Sequence, residues 1–499
     1  VFFHPITLTV TGEGTLHYTL DGERPTLESP TVDGPIMIEE STQVRVGIAD
    51  GTSLRDVTTG LFVIAASSLS ERVSNLPMMV VDTFGDERVD DEGRPRTYRS
   101  VVGAVFEVDD ASGKAGLGGE PAFVGRAGLH IRGNSTAGYP KKQYSFETWD
   151  EGDKDRDVSI LGFPADSDWV LHAPFADKTL MRNYLMYTWS NRMGRYASRT
   201  QFIELYLNKD DGPVTEEDYA GVYVFMEKVK RGSSRVNVES LGESESTEPA
   251  ITGGYILEKG WNFSEEVGIR TERLGDELLF TYPKADAISS AQRSYLQGYL
   301  DDFESALMGS DFDNPELGYE KYIDVDSFID HHLLVELARN IDGYVLSTYV
   351  HKARGGKLQM GPIWDYNGAL GNPDYFEGWL TEGWHYQNPE FPADNPNAYH
   401  WYERLMEDPA FRTRYSARWR ELRASHFEMS SLMADIEETA QLLNEAAGRN
   451  FQRWNILGEY VWPNAHGFEE RDTYQKEIDY MKDWIVERFA WMDAQLAEP

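Results

Sequence analysis

The stretch ARNIDGYVLSTYVHK (Ala338–Lys352), followed closely by GPIWDYNGALG (Gly361–Gly371), decides how this chain reads. Upstream of it, Ser327–Asn340 carries Phe328, Leu333, Leu334 and Leu337 with an acidic start at Asp324 and Asp326, which predicts a helix running into the loop of Asp342. Asp365 follows 23 residues later, after a hairpin-like stretch formed by Tyr349–His351 and Lys357–Met360. Two carboxylates placed this way suit phosphoryl transfer: one orients and deprotonates the attacking hydroxyl, the other holds Mg²⁺ on the phosphates. They suit equally a cap on the helix and a structural turn, and the pair alone leaves both readings open.

Working toward the N-terminus, GVYVFMEKVKR (Gly221–Arg231) reads as a buried strand ending at Met226-Glu227 before Lys228, Lys230 and Arg231. Further back, RGNSTAGYPKKQYSF (Arg132–Phe146) combines a turn rich in free N–H groups with Lys141 and Lys142, a chemistry that can cradle phosphate. On a strand opening at Pro140, Lys142 shares a face with Tyr144 and Phe146, and Lys141 points the other way. Both lysines fit an exposed hairpin as well.

The segments around these order themselves by period. Residues 1–65 form an all-β module, with apolar alternation in Ile6–Val10, Leu16–Leu20 and Val44–Ile48 between Asp-Gly turns. Asp21, Glu23 and Asp33 there read as solvated turn carboxylates rather than calcium ligands. A polar link, Ala65–Asn75, precedes β-rich sequence from Leu76, including Met78–Phe84, Ser100–Val108 and Ala127–Gly133; Asp109–Gly119 reads as an exposed loop. Helical period begins at Lys178–Gly194, strands return at Phe202–Leu207 and Gly253–Lys259, and a helix is predicted near Ser289–Met308. The last hundred or so residues are mostly helical, with Trp484 and Trp491 at core spacing. His331 and His332 point about 100° apart on a helix and read as packing residues, not a metal site.

Composition narrows function. The chain has 499 residues with 47 basic and 84 acidic, a formal net charge of −37, which disfavours nucleic-acid backbones and anionic membranes. It has no cysteine, which excludes disulfides, cysteine-ligated zinc and thiol nucleophiles. No apolar run approaches membrane-spanning length.

Together the motifs resemble the CotH (spore-coat) family of atypical protein kinases. The matching residues are Arg132–Lys142, Asp177-Lys178-Thr179 with Arg182-Asn183, Gly221–Glu227, Asn340-Ile341-Asp342 and Trp364-Asp365, within about Leu76–Leu496. HYTLDGERPT (His17–Thr26) and GPIMIEESTQVRV (Gly34–Val46) resemble the chitobiase C-terminal-type β-sandwich. The resemblance implies an α+β fold: a small β-sandwich (1–65) before a bilobal kinase-like domain (76–499), with a β-rich lobe to about 260 and a helical lobe from 261. It implies Asp342 as catalytic base, Asp365 as metal ligand with Ser347 beside it, and Arg132, Lys142, Glu227 and Lys228 around the nucleotide. The implied cofactors are ATP and Mg²⁺ (or Mn²⁺). The implied activity is transfer to Ser or Thr of an exported or cell-surface bacterial protein, with a basic, Ser-rich substrate favoured by the charge balance. Two departures thin the metal site: Ser347 stands where the family has Asn, and Asn367 where it commonly has Asp. They leave open a pseudokinase scaffold or another transfer such as nucleotidylation or glutamylation. The N-terminal module and the aromatics also admit a carbohydrate-binding surface protein.

Overall fold

The computed structural model describes residues 1–260, 268–275, 277–390 and 399–497. The chain divides into two compact units. The first comprises Val1–Phe175, Thr200–Lys228 and Leu442–Asn455; the second comprises Ala176–Arg199, Val229–Gln441 and Ile456–Pro499. Residues 229–260, expected with the β-rich lobe, group with the second unit, and 442–455 group with the first. The lobe boundary read at 260/261 adjoins residues outside the described set.

The first unit is built on a closed seven-stranded barrel. Its neighbours run Phe123–Ile131, Tyr144–Thr148, Asp168–His172, Tyr219–Glu227, Thr200–Asn208, Met78–Asp82, Arg99–Phe106 and back to the start. All pairs are antiparallel except Thr200–Asn208 with Met78–Asp82. The barrel interior holds Met79, Val81, Val101, Leu129, Phe146, Trp169, Ile203 and Phe225. Outside it, Met78, Val80, Val102, Ala104 and Phe106 pack with Val63, Ala65, Leu69, Ala115 and Leu117. These two strands are therefore buried on both faces, which is why MMVV and VVGAVF read as continuous apolar runs instead of alternating. Gly103 is required there, because a Cβ would sit 2.7 Å from the Phe146 ring. The loop Asp109–Gly119 is less exposed than its composition suggested. Ala115–Gly116 pairs with Val73–Ser74, and Ala115 and Leu117 are buried.

The N-terminal module lies in this unit as a three-stranded sheet (Leu16–Thr19, Thr42–Asp50, Ser53–Phe62) and a pair (Ile6–Leu8, Ile36–Ile38). Its own buried cluster is small: Ile36, Ile38, Val44 and Ile64. Polar contacts anchor it to the barrel, with Arg126 Nε donating to Gln43 at 3.0 Å and Arg45 reaching the Glu151 carbonyl.

The second unit contains helices α1 (Arg182–Arg192), α2 (Ser290–Leu307), α3 (Val325–Ala338), α4 (Tyr399–Leu405) and α5 (Pro409–Arg423), the first half of α6 (Met429–Arg453), and α7 (Tyr474–Gln495). A five-stranded sheet runs in the order Ile269–Arg270, Glu277–Tyr282, Tyr255–Lys259, Thr348–Lys352, Leu358–Met360. Helix α2 starts with a capping box in which Ser289 accepts from Gln292 N and Gln292 answers at the Ser289 N–H. Helix α3 is capped by Asp324, which accepts from Ser327 N at 2.9 Å, and every residue but Asp326 is buried. Its all-round burial sets it at the centre of the unit. His331 and His332 are both in that core, His332 Nδ1 lying 2.9 Å from the Tyr415 hydroxyl. No helix among the described residues is long and apolar enough to cross a membrane.

Candidate active site

Helix α3 ends where Arg339 turns left-handed (φ 47°), and the chain enters a tight turn through Asp342. Val345 N and Leu346 N both donate to the Asp342 carbonyl, at 2.9 and 2.8 Å, so the turn is fixed by the residue it presents. Asn340 holds both sides of the pair: its Oδ1 accepts from Asp342 N at 3.2 Å and its Nδ2 donates to the Asp365 carbonyl at 3.3 Å. The two loops are further joined by Ile341 N to Gly368 O (3.3 Å) and Leu370 N to Ala338 O (2.7 Å).

The second carboxylate is braced by α1. Tyr187 Oη accepts from Asp365 N at 2.9 Å, and Asn183 Oδ1 accepts from Tyr366 N at 2.6 Å. Arg182, fully buried, donates from Nε to the Ala369 carbonyl at 3.0 Å and pairs with Asp177. Asp177 in turn accepts from the N–H groups of Thr179 (3.1 Å) and Arg182 (2.9 Å). The motif Asp177-x-Thr179-x-x-Arg182-Asn183 is therefore a brace for the loop that follows Trp364. Sequence reading gave Arg182 no role, and it missed Asn183 and Tyr187 as the groups that hold Asp365.

Five residues in these segments adopt positive φ without being glycine: Leu180 (64°), Arg339 (47°), Ser347 (51°), Asp365 (60°) and Leu370 (49°). Each costs of order 1–3 kcal/mol and persists only where neighbours over-determine it. The hydrogen bonds just described constrain Asp365 and Leu370 directly, and Leu180 N adds a bond to the Asp177 carbonyl at 3.0 Å.

Electrostatics mark Asp342. Burial, and then the Asp365 charge, push its carboxyl up to about 7. No described residue donates a hydrogen bond to that carboxylate. The oxygens carried on these two loops are hard: the Asp342 and Asp365 carboxylates, the Ser347 hydroxyl, and Asn367 Oδ1, a buried atom without a hydrogen-bond partner among the described residues. Such a set fits Mg²⁺ or Mn²⁺, which are held by one or two carboxylates plus phosphate oxygens. Among the described residues no group of three His, Cys, Asp or Glu side chains is placed to hold a metal. An ion held on these loops would have at most two acids, with neutral oxygens completing its shell.

Residues 129–492 match the family model described as CotH kinase protein. The chain belongs to the CotH kinase family. Residues 6–62 match a second model, described as Fn3 associated, so the N-terminal strands form an Fn3-associated module. The chitobiase likeness rests on the strings His17–Thr26 and Gly34–Val46 alone. No curated protein matches the chain.

The remaining residues singled out by the CotH resemblance lie in the barrel unit. The strand after the Gly133 turn begins at Tyr144, not Pro140, so alternation does not extend to the two lysines. The expected inward Lys142 is corrected: Lys141 is the buried one, donating to the Val222 carbonyl (2.6 Å) and Asn450 Oδ1 (2.8 Å). Lys142 is half-buried and pairs with Glu92 at 3.0 Å. Both line a cavity of about 270 Å³ whose four cations, with Lys209 and Arg453, are matched by Glu87, Asp210, Glu217 and Asp218. That balance makes it no strong phosphate trap. Arg132 follows the end of its strand, its N–H bonded to the Gln143 carbonyl at 2.9 Å. Glu227 is fully buried as the last residue of Tyr219–Glu227, and Lys228 pairs with Asp168 at 2.9 Å.

Proposed function

We propose that the chain is an ATP- and Mg²⁺-dependent phosphotransferase acting on Ser or Thr of an exported or surface protein. The observation that carries this reading is the Asp342 carboxylate, bare of hydrogen-bond donors among the described residues, raised toward neutrality and held against the loop of Asp365. A base with a pKa near the working pH is the one best matched to accept a hydroxyl proton as the oxygen attacks phosphorus. Asp342 takes that proton, and the fixed turn of Gly343–Leu346 keeps the carboxylate aimed. Asp365, with Ser347 and Asn367 beside it, would hold the metal, which when bound offsets charge on the phosphates. Arg132, Lys142, Glu227 and Lys228 keep the nucleotide roles implied by the resemblance as part of the same proposal.

Incubation with γ-labelled ATP, Mg²⁺ and a panel of basic Ser-rich peptides tests it. Label should appear on a peptide or on the protein itself, and Asp342→Ala should lose it by a factor of about 10²–10⁴, the range of general-base contributions. Equal absence of label from wild type and Asp342→Ala would sink the phosphotransfer reading.

A second reading rests on Ser347 and Asn367, two neutral oxygens where the family carries amide and carboxylate. Weaker metal affinity favours a nucleotide-binding scaffold or another transfer, such as nucleotidylation or glutamylation. Thermal shifts with ATP, with and without Mn²⁺, followed by mass analysis of products, separate these.

A further inference from the structure

The second unit also encloses a cavity of about 270 Å³ that contains neither Asp342 nor Asp365. Its walls include Arg195 just past α1, Arg235 and Asn237, His331 of α3, and His351 of the strand Thr348–Lys352. No Asp or Glu among the described residues lines it, although the chain has 84 acids to 47 bases. A surface drawn at random from this composition would be acidic, so the cavity runs against the field of the whole protein.

Of its cations, Arg195 is placed to act. Arg195 Nε donates to Asp330 Oδ2 at 2.6 Å, but Asp330 divides its charge with Arg418, whose Nε donates to Oδ1 at 2.8 Å. The terminal nitrogens of Arg195 make no hydrogen bond with any described residue, nor does the Asn237 side chain, which is exposed. Arg235 adds a second guanidinium, only 3% exposed, in the wall. The histidines bring no charge: burial pushes His331 down to about 3 and lowers His351, with the Arg195 field lowering His351 further. Facing N–H groups of a guanidinium match the two oxygens of a carboxylate or phosphate bidentately. Sites for drug-sized ligands occupy about 300–1,000 Å³, so this one takes something smaller than a nucleoside triphosphate.

We propose that this cavity binds a small oxyanion, a phosphate or carboxylate group seated on the terminal nitrogens of Arg195 with Asn237 beside it. The site is independent of the phosphotransfer reading and can hold or fail without it. Titration of the full chain with orthophosphate and, separately, citrate, at fixed ionic strength and followed by calorimetry, tests it. Saturable binding of either anion is expected; which one binds assigns the phosphate or the carboxylate source. Arg195→Gln should weaken it at least about tenfold, the loss of one good charge-assisted contact. Asn237→Ala should weaken it by a few fold, and since Asn237 is exposed and unbonded, folding is not at stake. Asp365→Asn should leave it unchanged. The proposal is overturned if neither anion binds saturably, if binding survives both Arg195→Gln and Asn237→Ala, or if Asp365→Asn abolishes it.

Discussion

At Asp342 two unfavourable effects act on one carboxyl. Burial removes water from the charged form, and Asp365 places a like charge nearby; both raise the pKa, to about 7. The unfolded chain titrates the same group near 3.9. Between those values the native state binds the proton and the unfolded state does not. Stability contributed by this group is thus complete below about pH 4 and is lost as pH rises to about 7, by at most about 1.36 kcal/mol per unit. Asp342→Asn removes the titration. In metal-free buffer, the melting temperature of wild type should fall more steeply from pH 4.5 to 7.5 than that of the variant. Parallel curves would mean that Asp342 ionises as an ordinary surface acid.

At the scale of elements, α1 matters because it turns a sequence motif into a scaffold. Its first residue, Arg182, is fully buried and ties Asp177 to the carbonyls of Ala369 and Leu370. Replacing it by methionine keeps bulk but strands Asp177, which is 2% exposed, without its cation. Removing one partner of a buried pair costs about 3–5 kcal/mol, and urea unfolding of Arg182→Met should show a loss of that order. A change under 1 kcal/mol would mean the pair bears no load. This element also shows where sequence reading stops. The Asp177–Asn183 motif was legible as a pattern, yet its work consists of hydrogen bonds to backbone groups nearly two hundred residues away, which leave no local signature. Strands buried on both faces, Met78–Asp82 and Arg99–Phe106, announced themselves as apolar runs. Tyr144–Thr148 and Asp168–His172 are five residues each, too short to set a period, and misplacing the first reversed the assignment of Lys141 and Lys142. Asp342 and Asp365 stood out by their place after a predicted helix and a hairpin, but their roles came only from the CotH resemblance; the positive φ at Ser347 and Asp365 left no mark, since Ser carries no such preference and Asp, though enriched there, adopts it at a minority of positions.

Over the whole molecule the charge balance dominates. Even with every Lys and Arg paired to an acid, 84 acids against 47 bases leave 37 carboxylates without a cation. Their mutual repulsion favours the expanded chain, while the ion pairs at the surface favour the folded one. Salt weakens both. The repulsion acts over distances comparable with the Debye length, which shrinks from about 30 Å at 0.01 M to about 3 Å at 1 M, whereas pairs in contact are less affected. Surface pairs are each worth at most about 1 kcal/mol, so screening the excess should outweigh what the pairs lose. The melting temperature should therefore rise by several degrees as NaCl goes from 0.01 to 0.5 M at pH 7. The gain should shrink at pH 4.5, where part of the acid excess is protonated. A flat or falling curve at pH 7 would mean that the network of ion pairs, not the acid excess, sets the salt response.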